Sequence, residues 1–319
     1  MITFTCNLCG TSNTAEALPW ETSTCTGCGS NVRMRALIYM LALELFGEAL
    51  PLPEFPEYGH ITGFGMSDAL CYAVPLAEKV DYVNTFYDRE PYLDITAPHP
   101  DQYGTYDFIL SSDVFEHVAP PIDRAFEEAC RLLKPNGFLC VTVPSSHLAD
   151  ETDEHYPDLH EYSIVKLGGE HVLINRKADK TLEIHGNLEF HGGIGATLVM
   201  RLFSMKDLER KLRAAGFTEI AFQGEAVERL GIAFEGPWSR PFVARKQPFA
   251  KLPTVVSGAG SPSASKAELD ARITRLEKEK AALEERVERA ETQLRLAAGS
   301  RWLGLGSRLG LGPNLERYK

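Results

Sequence analysis

Between about Arg33 and Arg245 the apolar positions change period repeatedly, from the short runs of buried strands to the three- and four-residue spacing of helices. His60 to Gly65 reads as a strand running into a glycine turn, and Leu70, Ala73, Val74 and Ala77 mark one face of a helix over Ala69 to Lys79. Val80 to Phe86 is the next strand. Tyr106 to Ser111 is a buried strand, and Ile122, Phe126, Ala129 and Leu133 line a helix that stops at Lys134-Pro135-Asn136-Gly137, ahead of the strand Phe138 to Val143. Ser204 and Asp207 form a capping box before Leu208, Leu212 and Ala215, and Gly216 ends that helix. This alternation predicts an α/β fold, a parallel sheet covered by helices.

Composition divides the chain further. Residues 1–31 carry paired cysteines and are too few to build a core without a staple. Residues 32–248 hold the alternating pattern, and 249–266 are rich in Gly, Ser, Pro and Ala, as in a flexible linker. In 267–298, Leu269, Ile273, Leu276, Leu283, Val287, Ala290 and Leu294 follow heptad steps broken only by Lys280, which predicts a coiled coil and through it a homodimer or a partner helix. Residues 299–319 form a glycine-rich tail.

The 319 residues are 44% apolar and 24% charged, the balance of a soluble protein with a sizeable core. No apolar run reaches the roughly 18 residues of a membrane span, nor does one follow a basic leader, so we expect a cytoplasmic protein with no transmembrane segment. The formal charge of -11 lacks the cationic field that nucleic-acid binding needs, and no nucleic acid is expected. In a reducing compartment, paired cysteines point to metal rather than to disulfides.

Cys6-Asn7-Leu8-Cys9 and Cys25-Thr26-Gly27-Cys28 are two C-x-x-C knuckles separated by fifteen residues, a spacing that brings four thiolates around one tetrahedral ion. Gly10 and Gly29 follow the knuckles and permit tight turns. We expect a structural Zn2+ in a zinc-ribbon-like module. Cys71, Cys130 and Cys140 have no such partners and read as core.

The block Tyr106 to Pro144, with its Glu116-His117-Val118 turn and Leu133-Lys134-Pro135-Asn136-Gly137 helix stop, resembles the class I S-adenosylmethionine (SAM) dependent methyltransferases. Asn136 replaces the first glycine of that stop and tolerates a left-handed conformation. Asn84-Thr85-Phe86-Tyr87, Asp94-Ile95-Thr96, Glu154-His155-Tyr156-Pro157-Asp158-Leu159-His160, Phe190-His191-Gly192-Gly193 and Met200-Arg201-Leu202-Phe203-Ser204 resemble one bacterial branch of these enzymes, associated with glycan-assembly genes. The resemblance implies a Rossmann-like sheet and SAM as cofactor.

Binding SAM calls for a sharp turn at a strand end, where backbone amides can meet a carboxylate. Gly63, Gly65, Ser67 and Asp68 supply it, although Ser67 stands where the family has a third glycine. Asp68 could hold the SAM ammonium or cap the following helix. By resemblance, Asn84 lies at the ribose, Asp94 and Ile95 at the adenine edge, and Ser112 and Asp113 beside the methionine moiety.

Methyl transfer is an in-line displacement, so positioning dominates, and a base is needed only for a hydroxyl acceptor. His155 is the first expectation for that base. His117 and His191 are the others, with His160, Glu154, Asp158 and Glu161 completing a hydroxyl-binding set. An acid-x-x-Glu-His arrangement like that of Asp113, Glu116 and His117 is linked to a divalent cation in ubiquinone-biosynthesis O-methyltransferases. It also occurs without one, and we expect no catalytic metal here. The leading expectation is O-methylation of a sugar hydroxyl on a glycan or its precursor. The alternatives are a small-molecule or lipid-linked acceptor, or a non-catalytic scaffold.

Overall fold

The computed structural model describes residues 1–192, 197–234, 236 and 239–254. The expected coiled coil and glycine-rich tail, and most of the linker, lie outside the described residues. The chain opens on an antiparallel ribbon, Ile2–Thr5 (β1) against Ser12–Ala15 (β2). A helix, Val32–Phe46 (α1), follows, started by the Asn31 side chain, which accepts from the Met34 amide, and closed by Gly47 at φ +78°. The hydrophobic pattern did not announce α1, because it is apolar on nearly every face: Val32, Ala36, Leu37, Ile38, Leu41, Ala42 and Leu45 are all fully buried.

Tyr58–Met66 (β3), Val80–Thr85 (β4), Tyr106–Ser112 (β5) and Leu133–Thr142 (β6) are parallel neighbours in one sheet. Leu70–Ala77 (α2) and Asp123–Leu132 (α3) connect them. These elements match the expected ones within a few residues, except that β6 begins at Leu133, before the expected turn. Asn136 is not left-handed there. Gly137 is needed for another reason, since a methyl group on it would stand 2.8 Å from the Tyr106 carbonyl where β5 and β6 slip register.

Side chains along β5 alternate between two cores. Phe108 and Leu110 join α1 and α2, whereas Ile109 joins Phe126 and Ala129 of α3. The first core also holds Phe4, Leu8 and Leu18 from the amino-terminal module and Leu230 and Ile232 from near the far end of the fold. Arg35, fully buried, ties these parts together by donating to the Ser30 carbonyl, Thr24 Oγ1 and the Gly231 carbonyl. The core is therefore continuous across the expected 31/32 boundary.

An insertion of short strands stands between β6 and the last helix: Ser145–Ser146 (β7), Asp153–Glu154 (β8), Glu161–Leu167 (β9), Glu170–Arg176 (β10), Leu182–His185 (β11), Phe190–His191 (β12), Thr197–Leu198 (β13) and Arg201–Ser204 (β14). β9 to β11 form an antiparallel meander, and β12 pairs with β13. Met205–Ala214 (α4) then starts on the Ser204 side chain, which accepts from the Asp207 amide, and Gly216 follows it at φ +110°. Glu219–Phe222 (β15) and Phe242–Arg245 (β16) close the main sheet, ordered β15-β16-β6-β5-β3-β4, with β16 antiparallel to both neighbours. No helix among the described residues is long and apolar enough to cross a membrane.

Candidate functional site

The two cysteine knuckles close on each other. Cys6 and Cys28 Sγ stand 3.7 Å apart, Cys9 and Cys25 Sγ 3.6 Å apart, and all four lie within 4.8 Å of one another. Four sulfurs about 2.3 Å from one tetrahedral ion would be about 3.8 Å apart, so the set fits a zinc-sized ion. Gly10 and Gly29 take φ +76° and +73°, and their amides donate to the Cys6 and Cys25 carbonyls at 2.8 and 3.0 Å. Gly27 is needed because a side chain there would overlap Thr11 and crowd Cys9 Sγ.

At the carboxyl ends of β3 and β5 two non-glycine residues are left-handed, Ser67 at φ +57° and Asp113 at φ +52°. Such positions cost about 1–3 kcal/mol and persist where surrounding contacts hold them. Asn84 holds the first: its Oδ1 accepts from the Asp68 amide and its Nδ2 donates to the Asp68 carbonyl, both at 2.9 Å. These two bonds use one lone pair and one N–H of the Asn84 amide, at the end of β4 where the ribose contact is expected. Of the two roles expected of Asp68, the structure removes the helix cap. Its carboxylate accepts from Tyr72 Oη at 2.8 Å and from Tyr82 Oη, burial pushes its carboxyl up to about 6, and it caps no helix, since the N-cap of α2 is Ala69 and no side chain caps it.

Gly63 and Gly65 likewise make room for the protein's own groups. A methyl on Gly63 would overlap the Phe108 ring, which is stacked between Tyr82 and Phe138, and one on Gly65 would overlap Tyr82 Oη and the Asp68 carboxylate.

The Asp113 turn is held from two sides. Its amide donates to the Thr142 carbonyl at 3.0 Å and its Oδ1 accepts from Thr142 Oγ1 at 2.9 Å. Its Oδ2 pairs with Arg33 Nε at 3.0 Å, while Arg33 Nη1 donates to Ser112 Oγ. Arg33 also reaches the Glu21 carboxylate of the amino-terminal module with Nε at 2.8 Å and Nη2 at 2.9 Å. Burial raises the Asp113 carboxyl and the Arg33 charge draws it back. Arg33 was not among the expected site residues; its one sequence signal was a cation adjoining the knuckle module. Asp94 forms a local turn, its Oδ1 accepting from the Thr96 amide and hydroxyl at 2.8 and 2.7 Å, and Ile95 is buried behind it.

Directly after Asp113, the 3-10 turn Phe115–His117 points Glu116 and His117 toward His191 of β12. His117 Nε2 and His191 Nδ1 are 3.2 Å apart, and Glu116 Oε1 lies 3.6 and 3.5 Å from them. Glu116 is fully buried, which pushes its carboxyl up to about 7. Burial lowers the His117 imidazole, and the nearby Glu116 carboxyl raises that of His191. The hairpin is pinned over the turn by the Met200 amide, which donates to the Glu116 carbonyl at 2.8 Å.

The structure does not bring His155 and His160 into that cluster. His155 Nδ1 donates to the Val199 carbonyl at 3.1 Å, and exposed His160 is fixed through its amide to Asn175 Oδ1 at 3.0 Å. The three expected carboxylates have cations of their own: Glu154 pairs with Arg201 at 2.8 Å, Asp158 with Lys177 at 2.7 Å and Glu161 with Arg176 at 3.4 Å. Glu161 and Arg176 line, with Tyr162 and Ile174, an open cleft of about 460 Å³ on the meander, made from none of the strand-end groups.

The sequence model of the methyltransferase-domain family matches residues 27–221. Among solved structures the chain is similar to a Burkholderia thailandensis 1,6-didemethyltoxoflavin-N1-methyltransferase holding 1,6-didemethyltoxoflavin and S-adenosylhomocysteine, at 15% identity and TM-score 0.37 over 67% of this chain and 78% of that one. A Mesorhizobium loti SAM-dependent methyltransferase matches at 13% identity and TM-score 0.40 over 69% of this chain and 100% of that one. A Thermotoga maritima SAM-dependent methyltransferase, titled a possible histamine N-methyltransferase, matches at 19% identity and TM-score 0.36 over 68% and 90%. No curated protein matches the chain.

Proposed function

Because the chain belongs to the methyltransferase-domain family and is a SAM-dependent methyltransferase, we propose that it transfers the methyl group to a hydroxyl oxygen, on a glycan or glycan precursor. The observation that carries the oxygen acceptor is the Glu116, His117 and His191 cluster beside the end of β5, where polar groups able to activate a hydroxyl converge. The glycan half of the reading rests on the resemblance of the downstream motifs.

When bound, SAM supplies an electrophilic methyl on a sulfonium, so the protein's tasks are to hold donor and acceptor in line and to keep the oxygen reactive. The donor's amino-acid end carries one charge of each sign, and Arg33 with Asp113 presents the complement at the end of β5. The Ser67 turn contributes backbone, with Gly63, Gly65, Asp68 and Asn84 shaping it from behind. Asp94 and Ile95 are assigned to the adenine end, and Ser112 flanks the methionyl group. The cluster activates the acceptor oxygen, and His155 is assigned to the acceptor wall. The four cysteines are assigned a structural Zn2+, consistent with the fit of their spacing to one tetrahedral ion. We assign the protein to the cytoplasm, the compartment that keeps such thiols reduced.

The test is transfer of labelled methyl from SAM to the host's glycan fraction, followed by chemical identification of the methylated atom. A base-stable methyl ether, reduced about 100-fold or more by His191→Ala and far less by His155→Ala, is the expected result. Label on nitrogen or carbon, or full turnover in both His117→Ala and His191→Ala, would overturn the assignment.

A further inference from the structure

Among the described buried carboxylates, Glu116 is the exception. Glu44 pairs with Arg245 and Lys251, Asp107 with Lys134, Glu128 with Arg131 and Asp207 with Arg210. Asp68 accepts from two tyrosines. Glu116 is fully buried, yet neither of its side-chain oxygens has a hydrogen-bond partner among the described residues. A group of this kind is costly to bury unless something compensates it. The nearest basic atoms are His117 Nε2 and His191 Nδ1, at 3.6 and 3.5 Å.

The tautomer of His117 is set by its surroundings. Its Nδ1–H donates to the Leu198 carbonyl at 2.8 Å, which leaves the lone pair on Nε2, the atom facing His191 and Glu116. A backbone carbonyl behind one ring nitrogen is the usual means of orienting a metal-binding imidazole. The three facing atoms form a triangle with sides of 3.2, 3.5 and 3.6 Å. Ligands about 2.0–2.2 Å from a common ion are about 3.0–3.6 Å apart at angles between octahedral and tetrahedral, so an ion fits just above that triangle with little movement.

We propose that Glu116, His117 and His191 bind one first-row divalent transition-metal cation. Two imidazoles and a carboxylate suit Mn2+, Fe2+, Co2+ or Zn2+ rather than Ca2+ or Mg2+. The third ligand is His191, 74 residues on from His117, and not Asp113, whose carboxylate is paired with Arg33. Three protein ligands leave at least one coordination position, and His191, with 39% of its side chain exposed, puts that position toward solvent. An acceptor hydroxyl bound there loses its proton to solvent at a lower pH than it would free in water. This last role rests on the hydroxyl-acceptor reading; occupancy of the site does not.

The experiment is a Co2+ titration of the full-length, zinc-loaded protein, read by visible absorption and metal analysis. One Co2+ is expected beyond the cysteine-bound zinc, with weak visible bands and none of the intense near-ultraviolet absorption of cobalt thiolate. His117→Gln, His191→Gln and Glu116→Gln should each weaken Co2+ binding by about 100-fold or more, while zinc content and near-ultraviolet circular dichroism stay unchanged. The proposal is overturned if no cobalt binds outside the cysteines, or if binding survives in the folded His117→Gln/His191→Gln double variant. Cobalt binding without methylation of any hydroxyl would keep the cation site and remove the acceptor reading; hydroxyl methylation without cobalt binding would do the reverse.

Discussion

Cys25→Ala should unfold far more than the thirty-odd residues around it. With the four cysteines holding the proposed Zn2+, the substitution removes one of its four ligands, and with it the closure that holds β1, β2 and both knuckles in place. Phe4, Leu8 and Leu18 from this module are 2%, 2% and 4% exposed, and they share one core with α1 and Ile232. Exposing three such side chains costs about 5–9 kcal/mol as an upper estimate. Arg35 would keep the Gly231 carbonyl but lose Ser30 and Thr24, leaving a buried cation short of partners. Whole domains are stable by about 5–15 kcal/mol, so the loss is comparable to the total. Calorimetry should record one transition lowered by about 10 °C or more, and hydrogen exchange should find α1 deprotected together with β1 and β2. Strong chelation of the wild type should reproduce both effects. The reasoning fails if β1 and β2 exchange freely while α1 keeps full protection and the main transition moves by less than about 3 °C.

Other substitutions separate structural from chemical roles. Burial holds the Asp68 carboxyl up at about 6, so the folded state keeps a proton that the unfolded chain releases near pH 4. Its contribution is greatest below pH 4 and is lost as pH rises toward 6, by about 3 kcal/mol. Denaturant melts should therefore have wild type losing that much relative to Asp68→Asn between pH 4 and 7, and a pH-independent difference would count against a buried titrating carboxyl. Gly63→Ala, which pushes a methyl into the stacked Phe108 ring, should cost about 1–3 kcal/mol or more in a chemical melt, and a neutral result would mean that the Tyr82, Phe108 and Phe138 column can shift. Glu154→Ala strands fully buried Arg201 and should cost about 3–5 kcal/mol, with turnover per folded molecule little changed; lost turnover in a fully stable variant would return Glu154 to the chemistry. Arg33→Ala should weaken SAM binding about 10- to 100-fold by calorimetry, and unchanged affinity would remove Arg33 from the donor site.

The parallel half of the sheet was legible because its strands and helices carry unmixed periods: Phe126 and Ala129 stripe α3 from the Ile122 N-cap onward, and Tyr106 to Ser111 is a continuous, largely buried run. Where burial is all-round, as in α1, periodicity carries no sign of a face. The β9 to β11 meander was missed for the opposite reason: Tyr162, Ile164, Leu182 and Ile184 are exposed apolar residues on short strands, so alternation marks no core. The cysteine knuckles were readable because their chemistry depends on spacing within a short segment. Of the cluster, Glu116 and His117 were readable as one turn and His191 only as a separate histidine, since a separation of 74 residues becomes contact only through the β12 to β13 hairpin. Gly63 and Gly65 answer to a packing demand that the glycine pattern does not reveal. Their lack of side chains accommodates Phe108, Tyr82 and Asp68, and the turn they precede takes its left-handed residue at Ser67.

Arg33 joins these parts into one mechanical sequence. Its guanidinium spans Glu21, in the loop between the two knuckles, and Asp113, the left-handed residue at the end of β5. Asp113 is followed within three residues by Glu116, so whatever displaces Glu21 acts on the turn that carries the Glu116 and His117 side chains. A purely stabilising module would need only the apolar contacts of Phe4, Leu8 and Leu18 and the anchoring of Arg35. The added Glu21 to Arg33 to Asp113 connection places a charge pair, buried on the Arg33 and Asp113 side, at the strand end proposed above for the donor's amino-acid moiety. On the proposed donor site, this connection makes the amino-terminal module part of its wall.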